Sequence, residues 1–409
     1  MLVKLTVKSI LSRKFTSILL IASIALSAFL LIGIQKIKYS AKVSFSSSIS
    51  NTDLIVGPRS GDIQLLLYTV FRKGQAITNM SWQSLKSIQA LKQVAWVVPV
   101  SLGDSHRNYP VLATTQDYFK YYKYGKKKSL VFKKGRPFKH YNHVVLGFEV
   151  AKKLKYSLND IIYLSHGIGR AHLKTHRDSP FKVVGILKQT GTPVDKTVHI
   201  SLQGMTAIHL SPAQRKLLQE KKTIKHESLT PSSVTSCLVG LKSKFHIFSV
   251  QKRITNELKE PLMAIIPGVS LARLWSTIST FDRVLFIVTI LVTIITYLGL
   301  LLSLTMSLQQ RQKELQVLRA LGAHPSQLFM LLILESIVVC LGGVLAGIGL
   351  MSIGGVVLKP YLEEKWGLIL SLNTVTLTEL YLAGSIIVFG IIISAIPAYL
   401  AYYRVKKIV

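Results

Sequence analysis

Acidic residues are scarce in this chain: 18 Asp and Glu stand against 51 Lys and Arg in 409 residues, a formal net charge of +33. Cysteine is scarcer, with two. Cys237 and Cys340 fall in different parts of the chain, and Cys340 sits inside a long apolar run. No intrachain disulfide is therefore expected, and a disulfide-stapled fold is excluded. No G-x-x-x-x-G-K-[ST] loop occurs, so this chain does not bind ATP by that route. His226-Glu227 has no second histidine three positions beyond the glutamate, so H-E-x-x-H is missing, and G-x-S-x-G is missing too. An enzymatic reading has no motif behind it.

Apolar length is what the chain has in quantity, at 49% hydrophobic residues. A helix crosses a bilayer with ~20 apolar residues, and four segments reach that length. Residues 15–34, 284–308 and 381–403 carry no charge, and residues 328–358 carry only Glu335. The first comes after Lys4, Lys8, Arg13 and Lys14 and has no small-residue cleavage site. It reads as a retained helix that also directs export of the domain C-terminal to it, rather than as a cleaved signal.

Basic residues in the short flanks set the orientation. The N-terminus (1–14) is basic without an acid, the 309–327 segment holds Arg311, Lys313 and Arg319 against Glu314, and the tail (404–409) carries Arg404, Lys406 and Lys407. All three are expected in the cytoplasm. Residues 35–283 then lie outside, and 359–380 form an outer loop. Between Lys36 and Arg283 there are 39 Lys and Arg and 13 Asp and Glu, a net +26. Long domains translocate largely regardless of charge, so the topology stands. Such a surface suits anionic lipid head groups, envelope polymers or an acidic partner, and solubility alone accounts for it equally well.

Residues 35–283 alternate short apolar runs with helical stretches, an α+β pattern. Strands are expected at 53–56, 95–100, 143–146, 161–164, 181–187, 197–202, 234–241 and 263–266, and helices at 82–91 and 248–258. The turn-rich stretch at about 131–231 reads as an insertion between flanks that pair into one layer. Residues 271–283 are expected to be helical and to feed directly into the second span. The fold class is four transmembrane α-helices, one plus three, around a large α+β extracytoplasmic domain.

Several residues invite chemistry. His166, His172 and His176 fall in one turn-rich segment, and His140 and His143 share a face. Imidazole binds zinc or copper, but no cysteine completes a set, and solvated surface histidines are the plainer reading. Glu335 lies ~10 Å along its helix from Leu328 by rise per residue. A carboxylate there needs a partner such as Arg311, Arg319 or Lys14, or a position near the interface. Gly343-x-x-x-Gly347 permits close helix packing, either within the chain or against a second copy. Pro397 should kink the last span. Between the second and third spans, Leu315, Leu318 and Leu321 place an apolar stripe on a short charged helix that Gly322 stops. Such a stripe docks into a partner's groove or lies on lipid.

That segment carries a resemblance. Arg311-x-Lys313-Glu314-Leu315-x-Val317-Leu318-Arg319-Ala320-Leu321-Gly322-Ala323, with Glu335 after it, closely resembles the signature of the FtsX-like permeases. These are membrane subunits of type VII ABC transporters, a group that includes MacB, LolC, LolE and FtsX. Pro397-Ala398-x-x-Ala401 and the opening 9–17 with Arg13-Lys14 are similar to theirs as well. The cytoplasmic motif is specific; over the outer domain the likeness is architectural. The resemblance implies a MacB-like periplasmic core domain, location in the bacterial inner membrane, a second permease copy and two copies of a separate ATP-binding subunit. It implies that ATP and Mg bind that partner and that this chain binds no cofactor. Arg311, Lys313, Glu314, Leu315, Leu318, Arg319, Ala320, Leu321 and Gly322 would form the coupling helix. Closure of the ATPase would pass to the outer domain and move a lipoprotein, lipid or amphipathic substrate, with a periplasmic adaptor or lipoprotein as a further partner and no nucleic acid. MacB carries its ATPase on the same chain and FtsX has a smaller outer domain, so this layout is nearest LolC, LolE and the membrane part of MacB. An FtsX-like regulator of a cell-wall hydrolase is the alternative, and a metal- or haem-linked envelope protein is a third.

Overall fold

The computed structural model describes residues 14–46, 48–74, 76–166, 178–211, 229–257, 260–310, 324–366 and 377–406, together with Thr6, Leu11 and Gln214. These fall into two units. One comprises residues 1–41 and 278–409, and the other is Lys42–Thr277.

The second unit is built on a sheet whose main strands, in chain order, are β1 (Leu54–Pro58), β2 (Val94–His106), β3 (Tyr109–Thr114), β4 (Phe132–Gly135), β5 (His143–Leu146), β6 (Phe181–Leu187), β7 (Val198–Ser201), β8 (Ser236–Leu241) and β9 (Leu262–Ile265). Their order across the sheet is β9-β1-β8-β2-β3-β7-β5-β6-β4. The β3–β7 and β5–β6 pairs are parallel and the rest antiparallel. Helices cover both faces. On one side α3 (Trp82–Gln89), α5 (Phe148–Leu154), α6 (Leu202–Ile208) and α7 (Ile247–Glu257) pack around Leu54, Val56, Val144 and Val239. On the other, α2 (Asp62–Phe71) and α4 (Asp117–Tyr121) pack around Ile55, Val98, Val145 and Leu238. Both faces being dry, the strands read as continuous apolar runs rather than alternating ones.

Some expectations change here. The 131–231 stretch is no separate layer: β4 to β7 extend the same sheet through the parallel β3–β7 ladder, which runs from Val111↔Val198 to Thr114↔Ser201. The strand expected at 95–100 extends to His106 and turns back into β3 at Arg107 and Asn108, both at positive φ. The strand expected at 161–164 is two short pieces, Ile161–Ile162 and Ser165–His166, that pair with different strands.

Among the described residues four helices are long and apolar enough to cross a membrane, and their apolar stretches lie mainly in the first unit. α1 (Lys14–Ser46), α8 (Pro267–Gln310) and α9 (Pro325–Trp366) outrun the hydrocarbon thickness, and α10 (Leu377–Lys406) contains Pro397. The spans expected at 15–34 and 284–308 are thus parts of longer helices. The outer loop expected at 359–380 is helical as far as Trp366 and again from Leu377. The helix continues through Pro360, and the Leu, Glu and Lys residues that come after it are good helix formers.

Candidate functional site

The coupling residues named from the sequence, Arg311, Lys313, Glu314, Leu315, Leu318, Arg319, Ala320, Leu321 and Gly322, lie outside the described residues, as do His172 and His176. His166 is described but its expected partners are not; among the described residues no three His, Cys, Asp or Glu side chains converge as metal ligands. His140 and His143 meet edge to face, with ring centroids 4.8 Å apart. Burial first, then the neighbouring His140 and the Arg136 and Lys182 charges, hold His143 below the usual imidazole pKa.

The membrane unit is held by small residues and a few polar contacts. Gly343 and Gly347 on α9 face α1. A Cβ on Gly343 would lie 2.5 Å from Ile24 Cγ2, and one on Gly347 would lie 2.7 Å from the Ala25 carbonyl oxygen. The glycine pair therefore packs within the chain, where the sequence left a second copy equally open. Ile24, Ala28, Tyr297, Leu300, Cys340, Val344 and Ile386 form the buried seam. Across it, Ser27 Oγ and Thr296 Oγ1 are 2.8 Å apart, and the Tyr297 hydroxyl donates to the Ile386 carbonyl at 2.8 Å. Glu335 is buried on α9, beside Ser336. Ala398, next to Pro397, is buried against Leu332.

Sequence reasoning missed an ion pair here. Lys36 Nζ on α1 lies 3.4 Å from Glu379 Oε2 on α10, and the two side chains are 9% and 7% exposed. The first of several lysines just past the first span and an acid just before the last were the signals, and each reads as an ordinary interfacial charge.

The Lys42–Thr277 unit holds a second missed feature, a polar group inside the core at the α2 and α4 side. Arg72, at the C-cap of α2, donates from Nη2 to the Tyr118 hydroxyl at 3.2 Å. Burial pushes the Tyr118 hydroxyl up, and the Arg72 charge partly offsets this. His199 on β7 lies between Tyr118 and Phe119, with ring centroids 5.5 and 5.9 Å away. Burial, then Arg72, pushes the His199 ring down to about 3, so it is neutral. Asp195 is pushed up to about 6 by burial, against hydrogen bonds donated by the Thr190 and Gly191 N–H groups and the Thr190 hydroxyl. Burial also pushes the Cys237 thiol up to about 12, which leaves it inert as a nucleophile.

These shifts fix a pH dependence. His199 binds fewer protons folded than unfolded, so its contribution is full above pH 6.5 and is lost as pH falls toward about 3. Asp195 acts in the opposite sense, losing stability as pH rises from 3.8 to about 6. Between pH 6.5 and pH 5, His199 accounts for roughly 2 kcal/mol. In His199→Leu the melting temperature should therefore fall less between pH 7.5 and pH 5 than in the parent; an unchanged difference would mean the ring titrates as if exposed.

Residues 17–257 match the model of the MacB-like periplasmic core domain, and residues 286–408 match that of the FtsX-like permease C-terminal region. The chain belongs to the MacB/FtsX-like permease family of ABC transporters. No curated protein matches it. Among solved structures, the permease is similar to the periplasmic region of MacB from Actinobacillus actinomycetemcomitans: 13% identity, covering 57% of this chain and 94% of that one, with a TM-score of 0.34. It is also similar to the extracellular domain of the noncanonic ABC-type transporter YknZ from Gram-positive bacteria, at 15% identity, 52% and 98% coverage and a TM-score of 0.30. The permease is a membrane protein with a periplasmic α+β domain between its first and second spans, and its family implies an ATPase partner.

Proposed function

We propose that this permease is the non-catalytic membrane subunit of a type VII ABC transporter in the bacterial inner membrane. It works as a homodimer with two copies of a separate ATPase that binds ATP and Mg. Motion of the ATPase enters through residues 311–323 and is delivered to the periplasmic domain, which moves a lipoprotein, lipid or amphipathic envelope compound on the outer side. An adaptor in the periplasm would receive it.

The observation that carries this reading is the FtsX-like match over 286–408, which spans the Arg311 to Ala323 motif between α8 and α9. A packing contact supports the mechanical part. Phe45, in the last turn of α1, lies 4.7 Å from the Phe71 ring at the end of α2 and 5.8 Å from Trp275 on α8. Phe45, Phe71 and Trp275 all belong to the Lys42–Thr277 unit, so the chain segments that enter and leave this unit share one aromatic cluster within it, and close-packed interiors deform little.

Leu318→Asp or Arg319→Glu should abolish docking or coupling. In proteoliposomes with the cognate ATPase, stimulation by the permease should fall at least tenfold, to the level of the ATPase alone. Stimulation equal to the parent's in both variants would remove the coupling role.

A further inference from the structure

Arg72 places a positive charge inside the periplasmic domain with too few partners. The residue ends α2 at φ 58, in the left-handed region that glycine usually takes, and its N–H is fixed to the Leu67 carbonyl. This strained main chain turns the side chain inward, where it is 7% exposed. Nη2 is used by Tyr118, but Nε and Nη1 have no hydrogen-bond partner. Among the described residues no carboxylate forms an ion pair with it. Arginine is almost never fully buried unless paired, because its desolvation must be offset by an anion.

Arg72 is one of the residues that line a cavity of about 210 Å³. Tyr68, Leu102, Pro110 and Val111 share its walls with Asp104, and the exposed Gly74, Asn79 and Gly103 stand at its rim. By volume alone, since roughly 150 Å³ holds benzene, this part-polar cavity takes about six carbons with a small head group.

We propose that the cavity binds a small monocarboxylate, its oxygens on Arg72 and its hydrocarbon against Leu102, Pro110 and Val111. A guanidinium is the natural fork for a carboxylate. The Asp104 carboxylate in the same wall repels any anion and a doubly charged phosphate more than a monocarboxylate, while Leu102, Pro110 and Val111 favour an anion that carries a hydrocarbon. The same chemistry is offered by a free short-chain acid and by the C-terminus of a peptide that ends in a small apolar residue. The site is independent of how the permease is powered.

Calorimetry on the full chain in a nonionic detergent tests this with four probes: hexanoate, acetyl-Gly-Val with a free C-terminus, hexylammonium and inorganic phosphate. Hexanoate or the dipeptide should bind saturably at one per chain, the tighter of the two naming the source, and hexylammonium should not bind. Phosphate should bind at least tenfold more weakly. Arg72→Gln should weaken carboxylate binding at least tenfold. Ala76→Phe, which adds bulk at another lining position, should do the same while melting like the parent. No saturable binding of either carboxylate by the parent, equal binding by both variants, or tighter binding of phosphate would each overturn the assignment.

Discussion

Glu379→Leu should lower the melting temperature of the permease by ~10 °C in detergent, and Lys36→Met should do nearly as much. The two side chains lie 3.4 Å apart and are almost fully buried, joining α1 to α10 where the topology puts the outer end of the bundle. Removing one member of a buried pair takes away a close opposite charge from the other, which costs up to roughly 3–5 kcal/mol. At ~2–4 °C per kcal/mol for a cooperative unit of about 150–250 residues, the range that the unit of residues 1–41 and 278–409 falls in, that is a large shift. The double variant Lys36→Met/Glu379→Leu separates loss of the pair from loss of shape. With both charges gone and similar apolar volume in place, it should recover most of the lost stability, because buried pairs are close to neutral against hydrophobic replacements. If Glu379→Leu melts with the parent, the pair is hydrated in the membrane-bound protein and contributes nothing. If the double variant is as poor as the singles, packing around the stems of these side chains, not their charge, is what matters.

The four spans were legible because length and lack of charge are properties of the sequence itself: nothing else needs twenty uncharged residues in a row. Most strands of the periplasmic domain were legible for a related reason, though Tyr109–Thr114 and Phe132–Gly135 were not. Runs such as Leu54-Ile55-Val56 and His143-Val144-Val145-Leu146 are short, β-branched and bounded by turn residues. The helix α2 was not, since Ile63-Gln64-Leu65-Leu66-Leu67-Tyr68 has no clear period, and a buried helix and a buried strand look alike over so few residues. How the 131–231 stretch joins the sheet was equally hidden. The β3–β7 pairing is parallel and spans more than eighty residues of chain, and no local pattern encodes it.

The polar contacts show the same limit more sharply. Lys36 and Glu379 are 343 residues apart, so each appears in the sequence as an isolated interfacial charge. Arg72 comes after Phe71 as an ordinary charged residue past an apolar run; only the left-handed turn at its α-carbon sends it inward. The coupling motif is the reverse case. Its residues were read from a resemblance, and the family match over 286–408 covers them, while their arrangement lies outside the described residues. Sequence names what a segment is like, and structure names what it touches, so the two contributions meet at the glycines of α9.

Gly347→Leu should be as damaging as loss of the ion pair, for a different physical reason. The added Cβ would sit 2.7 Å from the Ala25 carbonyl oxygen and 2.8 Å from Ala28 Cβ, and a carbonyl of α1 cannot move aside as a side-chain tip can. The helices must separate, and the seam of Ile24, Ala28, Val344 and Ile386 loses contact along its length. Without a hydrophobic driving force between helices in lipid, that close packing is most of what holds them together. Overpacking of this kind costs ~1–3 kcal/mol or more, so Gly347→Ala should already lower the melting temperature by a few degrees and Gly347→Leu by more. Gly349, on the same helix with nothing within 4 Å of its added Cβ, is the matched control, and Gly349→Leu should melt close to the parent. If Gly347→Leu left melting unchanged but converted dimers to monomers, the motif would face a second copy instead of α1, and the intrachain packing of this helix pair would be wrong.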